Sequence, residues 1–183
     1  MTELALTIPF AEFRYVLAGA ITFGVIHREF TEQSMAPYVG RPGVDELLDK
    51  IRNEGFYDRG PSVYVNDATN DRDYLRFDCQ EQEPHYHYHH LYALQDAGIP
   101  ITMEYQKIAG QADNVTMNGH WHQVTYDAAA NGDMREWVMD KLAHRLPEML
   151  TQAGEPALAA KLNMALVHAA LPEVRRLVFA QAV

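Results

Sequence analysis

Hydrophobic and polar residues follow three different rhythms along the chain. Up to about residue 60, apolar runs and amphipathic stretches are mixed; between 61 and 127, apolar residues tend to recur at every second position; from 131 onward they recur at helical spacing. A period of two is typical of strands, and a period near 3.6 is typical of helices. The pattern predicts an α+β fold in one domain, 1–183, with a mixed N-terminal part (1–60), a β-rich part (61–127) and C-terminal helices (131–183).

The N-terminal part contains two apolar segments. Residues 11–30 form a nearly continuous apolar stretch, which is compatible with a buried helix or with a helix followed by a strand. Residues 44–55 are amphipathic and end in Gly55, a common residue after the last helical turn. We therefore expect an N-terminal helix to pack on the sheet.

The β-rich part begins with two alternating runs, 62–66 and 73–79, separated by a polar turn. In the second run Leu75, Phe77 and Cys79 share one face. The two runs predict a β-hairpin, with Cys79 as a buried, inert thiol. Residues 101–106 and 115–126 are further strand candidates, and together these strands predict a central antiparallel sheet.

The C-terminal part predicts a helical hairpin packed on that sheet. Asp133 and Glu136 have the spacing of a capping box at a helix N-terminus. The apolar stripe that follows needs a surface to cover, and the sheet provides one. Its members are Trp137, Val138, Leu142 and Leu146.

Charge and composition narrow the classes of function. The formal net charge of −10 repels phosphate backbones and disfavours a nucleic-acid partner. A single cysteine excludes internal disulfides and multi-cysteine zinc sites, which fits a reducing cytoplasm. The apolar run 15–26 is too short to span a bilayer, which takes roughly 20 residues, and the N-terminus has no basic region typical of a signal peptide. We expect a cytoplasmic protein without a membrane partner.

Histidines are concentrated in two short stretches. EPHYHYHH contains His85, His87, His89 and His90, and GHWH contains His120 and His122. In an extended strand residues i and i+2 share a face about 6.6 Å apart, so alternate imidazoles can converge on one divalent ion.

We predict His85, His87, His120 and His122 as metal ligands on neighbouring strands. Either four imidazoles surround one ion, or three do so together with a carboxylate from Glu83 or Glu104. The same carboxylates are candidate general bases, and His89 is a candidate proton shuttle because the ordinary imidazole pKa lies near neutrality. Zinc, iron, copper and nickel all accept imidazole ligands, so the pattern does not select the metal.

Two local resemblances accompany this pattern. The segment 85–101 resembles the H-x-H-x-D-H segment of the metallo-β-lactamase superfamily, with His89 in the place of the aspartate. The pair His85 and His87 is also similar to the H-x-H pair of cupins, which implies a later histidine ligand, here His120 or His122; Leu91 or Tyr92 occupies the place of the cupin glutamate. Both resemblances imply a metal-dependent enzyme, and both are confined to the histidine segments.

The sequence thus predicts a small metal-binding protein, specifically a mononuclear histidine-ligated metalloenzyme of the hydrolase, lyase or oxygenase type that acts on a small molecule. The alternative is a non-catalytic module, in a homodimer, that binds metal at a structural histidine site or binds a ligand. A third interpretation is an aromatic-lined pocket in which the histidines only form hydrogen bonds.

Overall fold

The computed structural model describes residues 13–40, 44–70, 72–88, 115–118 and 121–180. Seven strands within these ranges form one antiparallel sheet in the order β1-β2-β3-β4-β5-β7-β6. The strands are β1 (Arg14–Ala18), β2 (Ile21–Phe30), β3 (Asp58–Asp67), β4 (Asp73–Asp78), β5 (His85–Tyr88), β6 (Val115–Asn118) and β7 (Trp121–Thr125). The predicted α+β class with a central antiparallel sheet is confirmed.

Residues 14–30 form a β-hairpin, so neither the helix expected there nor the alternative of a helix followed by a strand is correct. Strands β1 and β2 pair from Ala18 and Ile21 outward, and the turn between them begins at Gly19 with a φ of 73°, which glycine adopts without strain. Along β2, Ile21, Phe23 and Val25 point into the main core. Because residues of the opposite face, such as Ile26, are also buried, the strand appears in the sequence as a continuous apolar run.

Short helices connect β2 to β3. They are α1 (Glu32–Met35), a 3₁₀ turn (Ala36–Tyr38) and α2 (Val44–Glu54). The amphipathic helix predicted over 44–55 is therefore confirmed. Its apolar side belongs to a small separate core, formed by Met35, Tyr38, Val44 and Leu48.

The predicted hairpin in the middle of the chain is confirmed as β3 and β4. Val63 pairs with Phe77 and Val65 with Leu75, and all four side chains are buried in the main core. The register shifts between Val65 and Asn66. The candidate strand 115–126 contains two paired strands, β6 and β7, whereas the candidate at 101–106 lies outside the described residues.

The described residues 128–180 form five helices, where a C-terminal hairpin is expected. They are α3 (Ala128–Asn131), α4 (Met134–His144), α5 (Leu146–Gln152), α6 (Pro156–Lys161) and α7 (Met164–Val178). The two long helices, α4 and α7, contact each other, and the shorter α5 and α6 lie between them in the chain. Pro147 and Pro156 each stand in the first turn of a short helix, a position that tolerates the missing N–H group.

The two faces of the sheet differ in chemistry. One face packs against the C-terminal helices through an apolar core that includes Val138, Leu142 and Val174. The opposite face, which we call the polar face, carries buried polar and charged side chains on the central strands: Ser62, Tyr64, Arg76, Asp78 and His87. No helix in the described ranges is long and apolar enough to cross a membrane.

Candidate metal centre on the polar face

Two adjacent strands bring the candidate site together. Strand β4 pairs with β5 so that Arg76 lies opposite His87 and Asp78 lies opposite His85. Residues paired directly across an antiparallel ladder project to the same face, and so do residues i and i+2 of one strand. The four side chains therefore form a square on the polar face, while Phe77 and Tyr86 point to the helices and stack on each other.

Three of these side chains have the geometry of metal ligands. Asp78 Oδ2 lies 3.2 Å from His85 Nε2 and 3.2 Å from His87 Nε2. Ligands placed 2.0 to 2.1 Å from a tetrahedral ion lie about 3.4 Å apart. Asp78, His85 and His87 could thus hold one ion without a large rearrangement of the strands.

Hydrogen bonds to the ligand side-chain atoms that face away from the proposed ion hold Asp78 and His85 in place. Ser62 Oγ donates to Asp78 Oδ1 over 2.5 Å, and His85 Nδ1 donates to the backbone carbonyl of Glu83 over 2.6 Å. The second bond fixes the orientation of the ring and leaves Nε2 directed at Asp78. A backbone carbonyl that accepts from the far ring nitrogen is a common support of metal-binding histidines.

A guanidinium group lies against the same atoms. Arg76 Nε donates to Asp78 Oδ2 over 2.9 Å, and Arg76 Nη2 donates to His87 Nε2 over 2.8 Å. The side chains of Arg76 and Asp78 are 7% and 2% exposed, so this ion pair is almost fully removed from water. Arg76 is therefore the cation that neutralises Asp78 in this structure.

The protonation states follow from burial and from these neighbours. Burial alone would raise the pKa of Asp78, but the charge of Arg76 and the hydrogen bond from His85 hold that pKa well below its usual value. Burial and the nearby Arg76 charge lower the pKa of His87 to about 3, so its ring is neutral at pH 7 and its Nε2 lone pair can accept the N–H of Arg76. For His85, burial lowers the pKa, but the hydrogen bond and charge of Asp78 outweigh burial and raise it.

We expect the stability of the protein to fall as the pH decreases from about 6.5 toward 3. Over this interval the unfolded chain protonates His87 while the folded chain does not, which costs at most about 1.4 kcal/mol per pH unit for one proton. The raised pKa of His85 acts in the opposite sense, because its contribution is present at low pH and is lost as the pH rises through its folded-state pKa. Urea unfolding at a series of pH values measures the slope.

The variant His87→Gln should flatten the acidic part of this profile, whatever its absolute stability. His144→Gln is the matched control, because His144 is exposed on α4 and should leave the slope unchanged. An acidic slope that persists in His87→Gln would assign it to other groups.

The predicted ligands have different outcomes. The structure brings His85 and His87 together, with Asp78 as the third member of the group. In the backbone register of β5 and β7, His87 is paired with Gln123 and Tyr88 is paired with His122. The residue directly opposite His87 is therefore Gln123 and not His122. His120 lies outside the described residues, and the ligand roles of His120 and His122 stay predictions.

The predicted catalytic residues are not part of this cluster as far as the structure describes them. The side chain of Glu83 is exposed, and the described bonds of this residue are made by its backbone: its N–H donates to Asp58 Oδ2 over 3.0 Å and its carbonyl accepts from His85. Glu104 and His89 lie outside the described residues. The base and proton-shuttle roles of all three stay predictions.

Sequence reasoning overlooked Asp78 and Arg76. The alternation of β4 already separates them from Leu75 and Phe77, which marks them as residues of the other face. Their pairing with His85 and His87 depends on the register between β4 and β5, and the sequence does not encode that register locally.

Comparison with known proteins adds a family but no activity. The model of a family described as a domain of unknown function matches residues 15–110 and 113–178, which is most of the chain and includes the whole candidate site. No curated protein and no solved structure shows significant similarity to the chain.

Proposed function

Because the chain belongs to the DUF7700 family, whose description assigns no activity, we propose a function from the site itself: the protein is a small mononuclear metalloenzyme that acts on a small molecule. The proposed ligands are Asp78 Oδ2, His85 Nε2 and His87 Nε2. This set keeps the two histidines expected from the sequence and adds a carboxylate from the neighbouring strand.

The observation that carries the proposal is the convergence of three ligand atoms within 4.8 Å of one another on a buried sheet surface. His87 Nε2 accepts from Arg76 and is therefore unprotonated, and Asp78 is ionised, so two of the three ligands already have the form that binds a cation. His85 has to lose its Nε2 proton, which makes metal binding weaker in acid.

The donor set narrows the choice of metal and of chemistry. Two imidazoles and one carboxylate leave coordination positions open, as in hydrolytic zinc sites and in iron sites that activate dioxygen. A bound ion of this kind would supply Lewis acidity or oxygen chemistry. The part of the chain is to hold the ligands: Ser62 orients Asp78, and the Glu83 carbonyl orients His85.

Arg76 has a defined place in this proposal. Its Nη2 and Nε lie within 3 Å of His87 and Asp78, so the guanidinium has to withdraw when an ion binds between those ligands. The withdrawn cation would remain near the site, where it can contact an anionic group of the substrate.

The same contacts favour a second candidate function, a non-catalytic ligand-binding module. Arg76 already satisfies the Asp78 carboxylate without any metal, and a buried ion pair of this kind is sufficient to explain why these residues lie together. In that case the polar face would bind a small molecule through hydrogen bonds alone.

Elemental analysis separates the two candidates. We expect protein purified without a histidine tag to retain about one equivalent of zinc or iron after dialysis, and His87→Ala to lose it, because the variant keeps only two of three ligands. His144→Ala serves as the control, since it removes an exposed histidine on α4 that interacts with Asp140.

Absence of bound metal, together with no change in melting temperature on adding zinc or a chelator, would leave the ligand-binding module. Metal that is retained equally by wild type, His144→Ala and His87→Ala would place the ion elsewhere in the chain. Circular dichroism of each variant shows whether loss of metal reflects loss of the ligand or loss of the fold.

A further inference from the structure

Gln80, two residues after Asp78, carries a side-chain amide whose hydrogen-bonding groups are not used. The residue is only 9% exposed, yet within the described part of the chain its side chain makes no hydrogen bond. Its amide nitrogen and oxygen are not completely enclosed. An amide offers two donor hydrogens and an acceptor oxygen, and a side chain buried to this extent normally has partners for them.

The backbone on both sides of Gln80 is fixed by the neighbouring strand. The N–H group of Cys79 donates to the carbonyl of Pro61 over 2.9 Å. The N–H group of Glu81 donates to the carbonyl of Arg59 over 3.0 Å. The amide of Gln80 therefore stands on a rigid segment, and a binding group held in this way loses little conformational freedom when a ligand arrives.

Gln80 projects to the polar face beside a position that carries no side chain. Cys79 belongs to the main core, so the residue next to it along the extended chain points to the opposite side. A Cβ atom at Gly60 would lie 2.2 Å from the Cys79 carbonyl oxygen and 2.9 Å from the Cα atom of Gln80, so only glycine fits there. Gly60 thus leaves the surface beside Gln80 open.

A cleft runs around this end of the sheet, and Gln80 lines it. Gly60 and Gln80 border the cleft on the polar face, and Met134 and Phe179 border it on the side of the helices. Its volume of about 1160 Å³ is above the roughly 300 to 1,000 Å³ of an ordinary small-molecule site. A small molecule can therefore reach the amide of Gln80 from outside.

The charges around the cleft balance. Three arginines and three acidic residues line it: Arg28, Arg59, Arg135, Glu29, Glu81 and Asp133. Arg59 Nε lies 2.9 Å from Glu81 Oε1. Arg135 Nε donates to Asp133 Oδ1 over 3.0 Å. A neutral polar group can enter without disturbing these pairs, whereas a charged group would compete with them.

We infer that this cleft binds the primary amide group of a small molecule, and that the side-chain amide of Gln80 holds it. Two primary amides form a cyclic pair in which one N–H of each donates to the oxygen of the other, so both kinds of group on Gln80 are satisfied at once. A carboxylate or a ketone offers acceptors only and leaves the Gln80 oxygen without a donor.

The bound amide would lie next to the proposed metal centre. Gln80 follows Asp78 by two positions on the same face, about 6.6 Å away in a strand. That the bound molecule is the substrate rests on the proposed function, but its binding to Gln80 does not. The preference for a neutral group concerns this cleft and not the part of a substrate that would meet the ion.

A titration followed by nuclear magnetic resonance, on the full chain and in the presence of a chelator, tests the inference. We expect benzamide to shift the side-chain N–H resonances of Gln80 to saturation. Acetophenone has nearly the same shape without an N–H group, and benzoate also lacks one and is charged; both should bind at least about tenfold more weakly. Gln80 resonances that do not move with benzamide, or acetophenone or benzoate binding as tightly as benzamide, would overturn the inference.

Substitution assigns the binding to Gln80. Gln80→Met keeps the length of the side chain without its hydrogen-bonding groups and should weaken benzamide binding at least about tenfold. Gln33→Met is the matched control, because Gln33 lines the same cleft but is exposed, and benzamide affinity should not change. Equal affinities in the two variants would contradict the assignment.

Two features of the design keep the result decisive. If Gln80→Met does not fold, the comparison of the three ligands on the wild-type chain still decides, since the Gln80 resonances report contact directly. Because the chelator removes any ion, benzamide binding to a protein that retains no metal would refute the proposed metalloenzyme and leave this inference standing. Retained metal without benzamide binding would do the reverse.

Discussion

Replacing Asp78 with alanine is expected to lower the free energy of unfolding by about 3 to 5 kcal/mol. The change removes the carboxylate to which Arg76 Nε donates and leaves that guanidinium buried on the polar face without its counter-charge. It also removes the acceptor of the Ser62 hydroxyl. Chemical unfolding at pH 7 measures the loss, which is large compared with the total stability of a typical domain.

Two further variants identify the cause of this loss. Asp78→Asn keeps the shape and an acceptor for Ser62 but removes the charge, so it should retain the greater part of the destabilisation if charge compensation dominates. Asp140→Ala is the control: Asp140 is exposed and pairs with Lys141 and His144, and such surface pairs contribute little to stability. An Asp78→Ala variant no less stable than Asp140→Ala would show that Arg76 finds compensation elsewhere.

The elements with a clear period were predictable from the sequence. Strands β3 and β4 alternate because one face meets the helices through Val63 and Phe77 while the other carries Ser62 and Asp78. Helix α4 begins where Asp133 is placed to cap it, and the Asp133 side chain accepts from the backbone N–H of Arg135. In these segments local chemistry and burial favour the same structure.

The N-terminal hairpin was not predictable in the same way. Strand β2 is an interior strand between β1 and β3, and Ile21, Phe23 and Ile26 are buried although they do not all share one face. The resulting apolar run has no period of two, and a buried helix of that length has the same composition. Gly19, which forms the turn, was the signal that favoured a hairpin.

At the candidate site, the two histidines of β5 were predictable from the sequence, but the side chains of β4 that lie beside them were not. In a strand, the i, i+2 spacing places His85 and His87 on one face, and the structure has them there. Asp78 comes from the preceding strand, and its position beside His85 depends on a register set by tertiary packing. Arg76 could not be anticipated beside the histidines, because a positively charged side chain repels a metal ion and is not expected among its ligands.

Arg76→Met is expected to tighten zinc binding at least about 100-fold. In the native protein an incoming divalent cation competes with the guanidinium for Asp78 and His87, whose contacts with Arg76 are 2.9 and 2.8 Å long. Two unit charges 4 Å apart interact by about 4 kcal/mol at an effective dielectric constant of 20, so removing this repulsion is worth more than two powers of ten in affinity. Methionine keeps an unbranched side chain in the same space without the charge.

We expect zinc to change the stability of Arg76→Met relative to wild type. Without zinc, Arg76→Met should be less stable than wild type, because Asp78 keeps its buried charge and loses its partner; with zinc, the melting temperature should rise more in the variant than in wild type. Competition with a chromophoric chelator gives the affinities. Arg76→Lys keeps a positive charge and should bind zinc much as wild type does. This variant also tests the prediction if Arg76→Met does not fold. Arg145→Met is the control for the loss of an exposed arginine. Zinc affinity that falls in Arg76→Met, or an Arg76→Lys variant that binds zinc 100-fold more tightly than wild type, would show that Arg76 does not compete with the metal for these ligands.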